Sequence, residues 1–90
     1  MEKLLTKRRK IDVIDEKIVK LLAERMRISH EIGKYKKEND LKIKNPERER
    51  MIMKKIKSHS EKFGFPPSLG QKIFVLLLAE SRKCQKAAPL

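Results

Sequence analysis

From Leu4 to Lys37 the chain holds a helical hydrophobic period without a proline and with one glycine, Gly33, which predicts a single helix of roughly 50 Å. In a chain of 90 residues that length constrains everything else. A helix so long buries its full apolar seam only against another chain or against two later helices laid end to end. Counting in sevens, Leu4, Ile11, Ile18, Arg25 and Ile32 share one seam position, and Ile14, Leu21, Ile28 and Tyr35 share its partner. One seat in that series holds an arginine. An unpaired buried guanidinium is strongly unfavourable, and no acidic residue neighbours Arg25 on the seam. Either its side chain snorkels out of a helix pair, or an anion from elsewhere meets it.

Downstream, the stretch Lys37 to Lys44 breaks the period with Asn39 and Asp40. Asn45-Pro46-Glu47 then announces a second helix, since Asn is a strong N-cap, Pro suits the first helical position and Glu complements the helix dipole. Ile52, Ile56, His59 and Phe63 give that helix one face, and Gly64 with Pro66-Pro67 ends it. Ser68 is the expected cap of a third helix running to about Lys86. The fold class is therefore all-α: one long N-terminal helix and two shorter ones, in a single domain spanning residues 1–90.

A chain this short buries only about 60% of its unfolded surface, so self-association is the natural remedy for a marginal monomer. Cys84 is the sole cysteine, which excludes an internal disulfide and a thiolate metal cluster and suits a reducing cytosol. The longest apolar run, Ile73 to Ala79, falls far short of the roughly 20 residues that span a bilayer, and the N-terminus lacks a signal-peptide core. A soluble cytoplasmic protein without a membrane partner is expected. The net charge of +12 raises the question of nucleic acid, but the cations are spread along the chain, interleaved with Glu, and no aromatics alternate with them as a stacking platform. That pattern describes a solvated basic surface that attracts small anions.

Polar residues intrude on the inward stripes of all three helices. Phe74, Leu77 and Leu78 continue by steps of three and four into Ser81 and Gln85, and Glu49 lies on the face of Ile52 and Ile56. Lys36 follows Arg25 by about three turns, roughly 16 Å along the same face, close enough for two long side chains to converge on one dianion. Arg25, Lys36, Arg48, Glu49, Ser81 and Gln85 thus describe a cationic pocket inside a helical bundle. No nucleophile and base are paired, His30 and His59 stand alone on separate helices, and no cluster has metal-ligand spacing.

These residues resemble the all-helical chorismate mutases. The resemblance runs from Arg8-Arg9-Lys10-Ile11-Asp12-Val13-Ile14-Asp15 through Leu22-Ala23-Glu24-Arg25, Gly33-Lys34-Tyr35-Lys36 and Pro46-Glu47-Arg48-Glu49 to Glu80-Ser81 and Gln85. Each motif is weak, but their order and spacing over three helices are specific. The resemblance implies an intertwined helical-bundle homodimer that converts chorismate to prephenate by a Claisen rearrangement, in phenylalanine and tyrosine biosynthesis, without cofactor or metal. It implies that Arg8 and Arg25 bind the two substrate carboxylates, and that Lys36 and Gln85 donate to the ether oxygen as the C–O bond breaks. Glu49 and the main chain near Asn45 would hold the ring hydroxyl, with Arg48 and Ser81 completing the pocket. The family often has Asp where this chain has Asn45; a role as helix cap and backbone donor tolerates Asn, whereas a required carboxylate would not.

Along one helix Arg8 stands about 42 Å from Lys36, so the two meet one small ligand only if Arg8 comes from a partner chain. An antiparallel pairing that achieves this puts its two-fold axis near Val19, within the largely apolar Ile18-Val19-Lys20-Leu21-Leu22. Otherwise Arg8 belongs to a solvated basic patch, Lys7-Arg8-Arg9-Lys10. Three rival functions stand beside the mutase: an isochorismate pyruvate-lyase on the same fold, a basic helical dimer that binds nucleic acid, and a plain dimerisation module with an incidental seam arginine.

Overall fold

In the computed structural model, which describes residues 1–88, the long apolar period becomes helix α1, Glu2–Glu38, followed by α2, Pro46–Lys62, and α3, Pro67–Ala87. No strand occurs among the described residues, so the fold is all-α. The first helix starts at Glu2 rather than Leu4 and ends at Glu38 rather than Lys37. None of the helices is long and apolar enough to cross a membrane among the described residues.

Both interhelical breaks close by the same device. Asp40 adopts the left-handed conformation with φ 53°, its N–H donates to the Lys37 carbonyl at 3.4 Å, and Leu41 N–H reaches back to Lys36 at 2.7 Å. At the end of α2 Gly64 takes φ 68°, with Gly64 N–H on Glu61 and Phe65 N–H on Ser60 at 2.8 Å. The expected start of α2 holds: Pro46 is the first helical residue, and Asn45 Oδ1 accepts from Arg48 N–H at 3.1 Å. Ser68 is not the cap of α3. Pro67 opens that helix, and Pro66 before it is forced out of the α region by the following ring, at φ −58° and ψ 118°. The cap position therefore falls on a residue with no side-chain donor or acceptor, and Ser68 lies one residue inside.

α3 packs against both other helices, whereas α1 and α2 do not meet. Two glycines set these contacts. A Cβ on Gly33 would collide with the backbone of Gln85, so α1 and α3 touch main chain to main chain there. A Cβ on Gly70 would lie 2.5 Å from Ser60 Oγ and 3.3 Å from Ile56 Cγ2, which places α2 equally tightly on α3. Lys37 completes the frame: its ammonium donates to the carbonyls of Lys86 and Ala88, satisfying the C-terminus of α3 and its dipole.

This packing rotates two faces away from expectation. On α1 the residues turned to α3 are half-buried Leu22, Arg25 and Lys36 with buried Ser29 and Gly33, while Ile14, Ile18, Leu21, Ile28 and Tyr35 remain exposed. Close approach to Gln85 demands small residues, and the large seam residues cannot supply them. On α2 the inner face is Ile52, Met53, Ile56 and Ser60, because Ser60 sits beneath Gly70; His59 and Phe63 are exposed and line an open groove shared with Gly70, Ile73 and Phe74 of α3. The expected α3 stripe is observed, with Phe74 and Leu77 half-buried, Leu78 and Ser81 buried, and Gln85 half-buried.

α3 covers only the C-terminal half of α1. Every residue from Met1 to Leu21 is exposed, and among the described residues only Leu78 and Ala88 form the buried hydrophobic core. The molecule measures 57 × 26 × 15 Å with a radius of gyration of 16.5 Å, against about 12 Å for a compact domain of this size. The two short helices are thus not laid end to end along the long one, and its apolar N-terminal seam has no partner among the described residues.

Gly33→Ala should lower unfolding free energy by about 1–3 kcal/mol, the usual cost of overpacking where the opposing atoms are backbone and do not yield. Urea denaturation measures this directly, and wild-type stability in the variant would show that the helices separate freely at Gln85.

Candidate active site

Where α3 crosses the C-terminal half of α1, the start of α2 closes over the junction and leaves a cavity of about 360 Å³. Arg25, Lys36, Asn45, Arg48, Glu49, Ser81 and Gln85 all line it, with Ile28, Ile32, Ile43, Ile52 and Leu78 as apolar walls. Arg8 does not. It lies exposed on the free half of α1, about 25 Å along the helix from Arg25.

The polar atoms of this cavity are nearly all left as donors. Arg25 Nη1 donates to Ser81 Oγ, and Ser29 Oγ donates to the same oxygen at 3.2 Å. With both lone pairs of that hydroxyl accepting, the Ser81 proton remains for something else. Lys36 Nζ donates to the Ile43 carbonyl at 2.8 Å and to Gln85 Oε1 at 2.9 Å, which leaves the third ammonium proton free. Because a lysine can only donate, it fixes the Gln85 amide with its oxygen inward, and the amide NH2 becomes a donor. Lys36 itself lies in the last turn of α1, where the chain reversal at Asp40 brings the Ile43 carbonyl back over it.

Arg25 is the strained member. Burial pushes its pKa below the ordinary arginine value, and the nearby positive charge of Arg48 pushes it further the same way. Among the described residues the ion pairs are Arg82 with Glu49 and Lys83 with Glu80, so Arg25 has only the Ser81 hydroxyl and a Phe74 ring 5.8 Å away. A guanidinium held this way is less favourable charged in the folded protein than in the unfolded one, and it stays charged at any physiological pH. A bound anion relieves the cost. The seam arginine therefore neither snorkels into open water nor finds a carboxylate of its own.

Two participants escaped the sequence. Ser29 was hidden among larger seam residues, although its four-residue spacing from Gly33 is the pattern of a close helix contact. Arg82 lies four residues after buried Leu78, a spacing that points it inward, and its Nη1 donates to both Glu49 oxygens at 2.6 and 2.7 Å. Glu49, the only acid lining the cavity among the described residues, is thereby engaged in the free protein. Asn45 is exposed and acts as the cap of α2, while His30 and His59 are exposed and are not among the residues lining the cavity.

The sequence model of one protein family, chorismate mutase type II, matches residues 7–86. The chain is 36% identical to the chorismate mutase of Methanocaldococcus jannaschii over 96% of its own length and 87% of that protein. It is 48% identical to the bifunctional chorismate mutase/prephenate dehydratase of Aquifex aeolicus over 62% of its own length. It is 37% identical to the protein of the same description in Buchnera aphidicola over 92% of its own length. The chain spans only 16% and 22% of these two bifunctional relatives.

Replacing Arg25 with methionine removes a half-buried charge that lacks a counter-ion. The free variant should melt at the wild-type temperature or above it, and the stabilisation that a small dicarboxylate gives the wild type should disappear. Thermal melts with and without the dicarboxylate test both halves; a lower melting point for free Arg25→Met would make the guanidinium a structural element.

Proposed function

The chain belongs to the type II chorismate mutase family, and from that premise we propose that the cavity between α1, α2 and α3 isomerises chorismate to prephenate. One observation carries the assignment of the site: a single small cavity gathers Arg25, Arg48, Lys36, Ser81 and Gln85 with unspent donors aimed inward. Such a lining suits a compact dianion rich in acceptor oxygens, and it suits little else.

The reaction is intramolecular, so the protein contributes orientation and electrostatics. Chorismate reacts when its enolpyruvyl arm folds over the ring, and clamping both ends of a flexible molecule removes the entropy that this folding costs. In this reading Arg25 holds one carboxylate. As the C–O bond stretches, negative charge gathers on the ether oxygen, and the free protons of Lys36 and Gln85 meet it. Their hydrogen bond to each other supports that role, since it fixes both donors before substrate arrives and leaves nothing to reorganise as charge develops. Glu49 and the main chain around Asn45 take the ring hydroxyl, and Arg48 and Ser81 close the remaining sides. Residues 1–90 form one such domain, acting in the cytoplasm, and their basic surface serves small anions rather than nucleic acid.

The second carboxylate anchor comes from another copy of the chain. The uncovered seam of α1 supports an intertwined homodimer, since Ile11, Ile14, Ile18 and Leu21 are more than 48% exposed while the helix continues straight past its own partner helices. Antiparallel crossing about Val19 buries that seam and carries Arg8 of each chain toward the pocket of the other. Both sites are then built by two chains.

Chorismate consumption by the purified protein tests the assignment, with isochorismate as the parallel substrate that separates a pyruvate-lyase. Lys36→Met should lower kcat by on the order of a hundredfold, the usual loss for one preorganised donor. Gln85→Glu should work only on the acid side, because a carboxyl group donates while protonated and opposes the ether charge once ionised. Its rate should therefore rise as pH falls through the introduced group's pKa, and a profile unchanged from wild type would remove Gln85 from the mechanism.

Arg8→Ala and Arg25→Ala homodimers should each be nearly inactive. Unfolded and refolded together, they should recover roughly a quarter of wild-type activity per site, since about half the dimers are mixed and each mixed dimer has one intact site. Mass spectrometry verifies the mixing. Mixed dimers without recovered activity would mean that Arg8 serves its own chain or none.

A further inference from the structure

Glu49 is the one carboxylate in a cavity that also contains Arg25, Lys36 and Arg48, and among the described residues none of these three cations holds an acid. An acid in such company is a hazard to the site. If Glu49 paired with Arg25 or Arg48 it would neutralise a substrate anchor and occupy the space of a substrate carboxylate. It does not do so because Arg82 claims it first, through one Nη1 that donates to both carboxylate oxygens at 2.6 and 2.7 Å. The two side chains are 31% and 23% exposed, screened enough for a charge-assisted pair to matter.

The placement of the pair is as telling as its geometry. Glu49 and Arg82, with buried Leu78, line both the donor cavity and a neighbouring groove of about 530 Å³ formed by α2 and α3, so the pair stands at the boundary between them. Arg82 holds Glu49 at this boundary, and Arg25 on α1 lines the same cavity without pairing with it. It follows buried Ser81 directly in α3, so the residue that receives Arg25 and the residue that restrains Glu49 are placed by the same turn.

We propose that Arg82 is a positioning residue that keeps the pocket's own carboxylate from blocking the substrate-binding arginines. This rests on the reading of the cavity as the chorismate site. In the free enzyme Arg82 maintains an open, cationic pocket, and in the complex it leaves Glu49 as an acceptor at the wall where the ring hydroxyl lies. Without Arg82 the carboxylate falls to Arg25 or Arg48, and substrate has to displace an internal ion pair before it binds. The penalty is the same for bound substrate and transition state, so it appears in KM and not in kcat.

Steady-state kinetics on four variants test this. Arg82→Met should raise KM for chorismate by about tenfold, the weight of one charge-assisted hydrogen bond, with kcat changed by less than about threefold. Arg82→Lys, which keeps the charge, should return KM most of the way. In a Glu49→Gln background the carboxylate is gone, so adding Arg82→Met should leave KM where Glu49→Gln alone puts it. A wild-type KM in Arg82→Met, or a KM increase that persists in the Glu49→Gln background, overturns the proposal. Wild-type protein that leaves chorismate untouched would sink the underlying reading instead. Even then a crystal structure of Arg82→Met decides the pairing: Glu49 on Arg25 or Arg48 supports the inference, and Glu49 free of both refutes it.

Discussion

With only a hydrogen for a side chain, Gly33 lets the main chain of α3 at Gln85 rest directly on α1, and the rest of the site follows from this contact. Fixing Gln85 there puts its amide beside Lys36, one turn further along α1. Fixing it also brings Ser81, one turn earlier on α3, beneath Arg25 and Ser29, about two turns and one turn before Gly33 respectively. The two helices are in register through small and polar groups where most helix pairs use leucines. A tight interface of this kind contributes little hydrophobic stabilisation, and with the N-terminal half of α1 uncovered few apolar residues are buried among those described. Lys37 offsets part of the deficit by tying the end of α3 to α1, immediately beyond the residue that has to be held still.

Stability and function oppose each other most clearly at Arg25. Burial and the charge of Arg48 both disfavour its guanidinium, and the chain offers a hydroxyl where a carboxylate would have been more stabilising. Pairing it internally would have made a better monomer and a poorer receptor. The same logic governs the acid that is present, since Glu49 is tied to Arg82 at the cavity boundary and the other cations stay available. Unsatisfied charge is concentrated in one cavity, where a dianion relieves it.

Much of this was legible in the sequence because it rests on local chemistry. Helix length, the Asn45-Pro46 start and the breaks at Asp40 and Gly64 follow from residue-level propensities, and the inward polar stripe of α3 follows from spacing alone. What escaped depends on which face of a helix meets which neighbour. The heptad count on α1 identified an apolar seam and left open whether another chain or the two later helices would cover it. The face that meets α3 carries Ser29 and Gly33, and no hydrophobicity count selects a serine and a glycine. Arg82 was overlooked because a charged residue one position from the polar stripe looks like a solvated one until Glu49 is found opposite it. Ser68 was a good cap by type, displaced because two consecutive prolines settle where α3 begins.

Two independent deficits lie on one helix. Among the described residues nothing covers the regular series of isoleucines and leucines on the N-terminal half of α1, and in the proposed reading the pocket at its C-terminal half binds one substrate carboxylate through Arg25 and needs a second anchor for the other. On the proposed reading, a second copy crossing near Val19 would answer both, because the movement that buries the seam would also carry Arg8 across the gap that its own chain cannot close. Folding and site assembly would then be a single event. A chain this short would gain a core by association, and on the proposed reading the same association would supply the missing cation, so an unpaired chain would lack stability and the reaction together.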